Sequence, residues 1–354
     1  MGFEELGGWP TILARLLSGG SLGAEEAECA LGQVLEGKAT DAQIAAFAVA
    51  LRAKGETVEE IHGLVRAMLA HAVAVPIDGD PVDVVGTGGD RLGTINVSTL
   101  ASFIAAGAGV SVCKHGNRAA SSSVGTADVL EALGVVADLG PSGVAACVSE
   151  AGMGFCFAQR YHPGYRHAGP VRRQLGVPTV FNFLGPLSNP ARVRRHLVGV
   201  SDPAVAEKMA AVLGANGSRR AMVVYGDDGL DELSVASPST VIELTGDGTA
   251  FELSRCRLDA LDLGLSRSSL AEISGGDAAF NARAIRSVLD GQHGAHRDIG
   301  VLNAAAALVV AGRAEGLEVG VELARASLDD GGAALVLARM IEVSGRESRA
   351  EEPS

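Results

Sequence analysis

Aromatic side chains are scarce in this 354-residue sequence, at 4%, with a single tryptophan and three tyrosines. A core with so few large rings has to be packed by small and aliphatic side chains, and 47 glycines supply the tight turns that go with it. Positive charge is also short: 29 lysines and arginines stand against 42 acidic residues, a formal net charge of −13. The bulk field therefore repels phosphate backbones and anionic membranes, which argues against nucleic acid and membrane as partners. The five cysteines, Cys29, Cys113, Cys147, Cys156 and Cys256, form no CxxC pair, so zinc and disulfides are not indicated and reduced thiols in the cytoplasm are expected. No apolar run approaches the length of a membrane span, and the opening MGFEELGGWP has neither the basic nor the apolar stretch of a secretory signal.

What is present reads as a well-buried globular protein, 47% hydrophobic and 20% charged, long enough for two domains. The first seventy or so residues are helical in pattern. Ile44, Phe47, Ala48 and Leu51 recur at helical spacing on a segment ended by Gly55. Thr57 and Glu60 form a capping box ahead of a second stripe, Ile61, Leu64, Val65, Met68 and Leu69. Together the stripes exceed what so small a domain readily buries alone, which predicts a second copy packed against them.

After Pro76 the pattern changes to short apolar runs alternating with helices: VDVVG, VSVC, GFCFA, HLVGV and AMVVYG. Strand–loop–helix alternation predicts parallel strands covered by helices, with ligands beyond the strands' C-terminal ends. TVIELTGDGTAFELS reads as a β-hairpin, helices dominate from Asn281 onward, and RESRAEEPS reads as a frayed tail.

Two of the loops carry chemistry. Gly86-Thr-Gly-Gly-Asp90 follows the first strand and runs through Asn96, Ser98 and Thr99 into a helix. Glycines let backbone N–H groups approach phosphate oxygens, and a helix N-terminus favours an anion, so the loop reads as a polyphosphate cradle. It matches neither the Walker P-loop nor GxGxxG. The bland alternative is a tight turn with a Ser/Thr cap. Lys114-His-Gly-Asn-Arg118-Ala-Ala-Ser-Ser-Ser-Val-Gly-Thr126 also joins a strand to a helix, with two fixed positive charges and several hydroxyls. Two such loops point to a ligand with phosphate at both ends, although the second could be only a solvated basic loop.

GTGGD, NVST, KHGNRAASS, FCFAQRYHPGYRHAGPVRRQLGVPTVFNFLGPLSNPA and DDGLDELS, in this order from the N-terminal helices to near residue 345, strongly resemble the anthranilate phosphoribosyltransferase family. The resemblance implies an α/β fold: a small helical domain over 1–75, joined by a helical insertion near 170–190, and a large α/β domain over 76–169 and 191–345 with a mostly parallel central sheet. Residues 346–354 would be a flexible tail. It implies a homodimer formed through the helical domain and a site at the hinge. Gly86, Gly89, Asp90, Thr94, Asn96, Ser98, Thr99, Lys114 and Thr126 would contact phosphoribosyl pyrophosphate. Gly86, His115, Asn117, His162 and Arg172 would contact or line the path of anthranilate, and Ser98, Asp231 and Glu232 would hold Mg²⁺. The acidic pair Asp231-Glu232 suits a hard cation shared with diphosphate, and the planar fork of Arg172 suits a carboxylate. Asp227, Asp228, Arg173 and His167 read as structural or solvated residues. Ile95 and Gly164-Tyr165 depart from the common family pattern, and Tyr165 bears on acceptor preference. The competing readings are an enzyme like pyrimidine nucleoside phosphorylase and a noncatalytic nucleic-acid-binding paralogue.

Overall fold

A computed structural model describes residues 2–118 and 124–351. Ser121, Ser122 and Ser123 of the second loop lie outside the described residues. The N-terminal helices are α1 (Gly8–Leu17), α2 (Ala24–Leu35), α3 (Asp41–Lys54) and α4 (Val58–Ala70). The capping box is made at the start of α4: Thr57 Oγ1 accepts from the Glu60 amide at 3.1 Å and Glu60 returns a carboxylate to the Thr57 amide at 2.8 Å. Gly55 ends α3 at a φ of 86°, a conformation that favours glycine.

The two helical stripes do not wait for a second copy. Ile44, Phe47, Ala48, Leu51, Ile61, Leu64, Val65 and Met68 are all buried within the single chain. They join one apolar cluster with Val180, Phe181 and Leu184 and with the sheet-side residues Val198, Val200, Met209 and Val223. The expectation that the stripes themselves form the dimer interface is corrected: the sheet domain and the segment near 170–190 supply the covering surface that the bundle lacks.

The chain continues through β1 (Val82–Gly86), α5 (Val97–Gly107), β2 (Val112–Gly116), α6 (Thr126–Ala132), α7 (Pro141–Ala146), β3 (Met153–Phe157), α8 (Ala158–Tyr161) and α9 (Ala168–Leu175). Then follow β4 (Arg195–Gly199), α10 (Pro203–Ala215), β5 (Arg220–Gly226), β6 (Ser239–Gly246), β7 (Phe251–Leu258), α11 (Ala278–Leu289), α12 (Ala295–Val310), α13 (Leu317–Asp329) and α14 (Gly332–Glu351). One seven-stranded sheet runs β3-β2-β1-β4-β5-β6-β7. The first five strands in that order are parallel, and β6 and β7 add the antiparallel hairpin read from the sequence. Side chains alternate between the faces: Val82, Val84, Leu197 and Met222 meet α5 and α12, whereas Val85, Val198 and Val223 face α10 and the bundle.

The C-terminal reading needs a correction. The chain expected to fray from residue 346 continues as α14 through Glu351. Its Glu351 carboxylate accepts from the Gly140 amide at 2.7 Å and from Arg160 at 3.0 Å, and Arg346 pairs with Glu150. A terminal segment reads as frayed, but here its charges have partners across the fold.

Candidate active site

Four of the parallel strands end in glycine: Gly86, Gly116, Gly199 and Gly226. At three of them a Cβ would collide with what folds over the edge. It would lie 2.6 Å from Asp231 Oδ2 at Gly86, 1.6 Å from the Asp231 carbonyl at Gly199 and 2.3 Å from Asp228 Oδ1 at Gly226. Clearing this edge lets the Asp231-Glu232 loop, entered from β5, settle on the loop after β1. Contact is direct: the Gly88 amide donates to Asp231 Oδ2 at 2.7 Å. Ser201 holds the other side, its Oγ donating to the Gly88 carbonyl at 2.8 Å.

Lys114 projects from β2 into this space and is 1% exposed. Its ammonium donates to the Val84 carbonyl and, at 3.0 Å, to Ser98 Oγ at the start of α5. Burial pushes its pKa down, while Asp83, Glu232 and Asp231 push back. Asp231 is pushed up to about 7, first by burial and then by the Asp90 carboxylate. Glu232 is pushed well above the usual carboxylate range by burial, then by Asp231. Three carboxylates thus crowd one ammonium in a space that water hardly enters, an arrangement short of positive charge. A divalent cation is the group that would relieve it. The donor set fits Mg²⁺, which prefers one or two carboxylates plus substrate phosphates to an all-protein cage. Among the described residues no group of three His, Cys, Asp or Glu able to hold a metal occurs.

The glycine loop is also clasped from a segment the sequence reading passed over. Thr94 bridges to Ser274, the Ile95 amide donates to the Ile273 carbonyl, and the Gly275 amide donates to the Gly93 carbonyl at 2.7 Å. Asn281 donates to Asn96 Oδ1 at 2.8 Å and accepts from the Gly276 amide. The overlooked signal was Gly275-Gly276 ahead of Asp277, which caps α11. Within the loop Gly88 and Gly89 have φ of 66° and 90°. Thr99 Oγ1 is buried without a hydrogen-bond partner in the first turn of α5, an orphan donor where a phosphate oxygen would be accepted.

A second group of residues lies beyond β2. His115 and His162 have ring centroids 5.1 Å apart. His115 Nδ1 meets the Gly185 carbonyl at 3.0 Å and His162 Nε2 meets the Ser188 carbonyl at 3.0 Å. A carbonyl can only accept, so His115 carries its proton on Nδ1 and keeps a bare lone pair on Nε2, which is buried and unpartnered. Burial holds the pKa values of His115 and His162 down at about 3 and about 4, so both rings are neutral at pH 7. Asp83 ties this group to the first: it accepts from the His115 amide at 3.1 Å and from Asn189 at 2.9 Å. Neither Asp83 nor Asn189 was singled out from the sequence.

Arg172, on α9, forms its own cluster. Nη1 donates to Tyr165 OH at 2.9 Å, the guanidinium lies 5.3 Å from the Tyr165 ring, and Tyr165 OH donates to the Phe181 carbonyl at 2.8 Å. Arg173 is exposed, as its place on the helix predicted. Asn117 is exposed at the edge of the described residues, its Oδ1 accepting from the Arg118 amide. Thr126 begins α6 with its Oγ1 against Gly116. The positive charge of Arg118 is taken up within the chain: Asp128 and Glu131 pair with its guanidinium. Asp227 and Asp228 are structural, pairing with Arg257 and with Ser234 respectively.

A helical bundle packed on a mostly parallel sheet, with two phosphate-type loops and an acidic pair on one strand edge, defines a transferase acting on a phosphorylated sugar. Family models agree: the glycosyl transferase family helical bundle domain matches residues 10–72 and its a/b domain matches residues 78–334. The anthranilate phosphoribosyltransferase of Salinispora arenicola is 55% identical over 345 residues, covering 95% of this chain and 96% of its own. The crystal structure of the Thermus thermophilus enzyme superposes with a TM-score of 0.88 at 40% identity, covering 94% of this chain and 99% of that one. The Saccharomyces cerevisiae enzyme in complex with phosphoribosyl pyrophosphate and Mg gives 0.86 at 27% identity, covering 96% and 98%. The chain belongs to the anthranilate phosphoribosyltransferase family.

Proposed function

We propose that this chain transfers the phosphoribosyl group of phosphoribosyl pyrophosphate to the amine of anthranilate, giving N-(5-phosphoribosyl)anthranilate and pyrophosphate in tryptophan biosynthesis. The observation that carries the reading is the closure of the Asp231-Glu232 loop on the glycine loop beside Lys114. Gly86, Gly89, Asp90, Thr94, Asn96, Ser98, Thr99, Lys114 and Thr126 take phosphoribosyl pyrophosphate. Ser98, Asp231 and Glu232 hold Mg²⁺, which when bound neutralises charge on the diphosphate. Gly86, His115, Asn117, His162 and Arg172 take anthranilate.

An aromatic amine is neutral at pH 7, so attack at the anomeric carbon needs orientation more than a strong base. His115 suits that role: a ring with a pKa of about 3 hardly takes up a proton, but its bare Nε2 can accept a hydrogen bond from the amine. Arg172 keeps Nη2 and Nε for the carboxylate while Tyr165 occupies Nη1. Lys114 and the orphan hydroxyl of Thr99 stabilise the departing diphosphate, and no covalent nucleophile or cysteine takes part.

The enzyme acts in the cytoplasm as a homodimer. With the helical stripes buried, the exposed apolar side chains of the same bundle, Leu17 on α1 and Val49 on α3, are what a second copy would cover. The test is stoichiometry: pyrophosphate should appear one for one with anthranilate consumed, with no phosphorolysis of uridine or thymidine. Pyrophosphate release independent of anthranilate, or nucleoside cleavage, would overturn the reading.

A further inference from the structure

A second basic recess lies outside the site described above. A cavity of about 410 Å³ opens between α11 and the N-terminus of α12, lined by Arg283, His293, His296, Arg297 and the single carboxylate of Glu272. Two features favour an anion there. Gly294 caps α12 without a side chain, so the first-turn amides and the positive end of a 16-residue helix meet the cavity uncapped. Arg297 is 4% exposed, and although its Nη2 pairs with Asp329 at 2.6 Å, its Nη1 is buried without any partner. A charged donor left unsatisfied in the interior is costly, and an oxyanion in the adjoining space is the simplest group to relieve it. Glu272 stays ionised, its Oε2 accepting from the Ser269 amide and hydroxyl, each at 2.8 Å, and is the one lining charge that opposes an anion.

We propose that this cavity is a binding site for a phosphate-type oxyanion, held by Arg283, Arg297, His293 and the α12 amides. Its place in the fold gives it a route to the glycine loop. His296 Nε2 meets the Ser274 carbonyl at 3.2 Å, and Ser274 is the residue that bridges to Thr94. The occupant would therefore stand one residue away from the clasp on the phosphoribosyl pyrophosphate loop without touching that loop.

The test is equilibrium dialysis with radiolabelled orthophosphate on the whole enzyme, compared with Arg283→Ala/His293→Ala. Both side chains are exposed, so the fold should survive their removal. The wild type is expected to bind one more equivalent of phosphate than the double variant, or to bind it at least tenfold more tightly. Arg283→Lys, which keeps the charge, should retain the extra equivalent, and turnover in phosphate-free buffer should be the same in all three proteins. Equal stoichiometry and affinity in wild type and double variant would overturn the proposal. Ribose 5-phosphate, added as competitor, separates the sources: displacement of the extra equivalent more tightly than by orthophosphate assigns the site to a sugar phosphate, and weaker displacement assigns it to free phosphate.

Discussion

At the scale of single residues, the site is built by burying charge that lacks a full set of partners. Lys114, Asp231 and Glu232 would be a poor investment for stability alone, since buried ion clusters seldom repay their desolvation. Arg172 gives the sharpest separation of the two substrates. Its guanidinium keeps two donor positions beyond the one held by Tyr165, and charge-assisted hydrogen bonds are worth about 1.5–3 kcal/mol. Arg172→Ala should therefore raise the KM for anthranilate roughly tenfold to a hundredfold, and calorimetry should find phosphoribosyl pyrophosphate affinity nearly unchanged. Arg172→Lys should rescue only part of the loss, because a point charge does not reproduce a planar fork. Abolished phosphoribosyl pyrophosphate binding with anthranilate unaffected would reverse the assignment of the two subsites.

His196, on β4 away from the site, makes a test of buried neutral histidine. Burial lowers its pKa from 6.5 to about 4. Between those values the unfolded chain binds a proton that the folded chain does not, so stability rises with pH and is lost as pH falls through this window. One such group contributes a slope of about 1.4 kcal/mol per pH unit. In denaturant titrations over this window, His196→Gln should show a slope shallower by about that amount, and an unchanged slope would show that the ring is charged in the fold. The glycine loop was legible in the sequence because glycine spacing encodes backbone geometry directly. Asp83 was not: one acid inside VDVV looks like ordinary strand alternation, and its partners Asn189 and His115 stand 106 and 32 residues away.

At the scale of elements, the strand-end glycines and the clasp decide how the loops meet. Helix, strand and hairpin assignments followed from periodicity and capping, which are local. The clasp was invisible because Asn281 reaches Asn96 across 185 residues, and no local pattern announces such a bond. Asn281→Ala removes hydrogen bonds to both Asn96 and the Gly276 amide. It should raise the KM for phosphoribosyl pyrophosphate several-fold while leaving that for anthranilate unchanged, as steady-state kinetics with each substrate varied would show. Equal increases for both substrates would mean general destabilisation and not a loosened loop. The extension of α14 to Glu351 was missed for a related reason: RESRAEE is both a good helix former and a good solvated tail, and only the distant partners Glu150, Gly140 and Arg160 choose between them.

At the scale of the whole molecule, one apolar cluster runs from the bundle through the 180–187 segment to the sheet face around α10. That continuity explains why the bundle needs no second copy to cover its stripes, and it moves the proposed dimer contact to the exposed Leu17 and Val49. Leu17→Asp/Val49→Asp should sediment as a monomer where the wild type sediments as a dimer, with little change in thermal stability, since neither side chain belongs to the core. A variant that stays dimeric would place the contact elsewhere. The central claim is phosphoribosyl transfer to anthranilate at the Asp231-Glu232 edge of the sheet. The measurement that tests it most directly is the fluorescence of anthranilate after phosphoribosyl pyrophosphate and Mg²⁺ are added to the wild type and to Asp231→Asn/Glu232→Gln. Wild-type signal should fall steadily, excess chelator should stop it, and the double variant should lose most of the rate while keeping the wild-type circular dichroism spectrum. No decay with folded wild type, or full activity in the double variant or in chelator, would contradict the account.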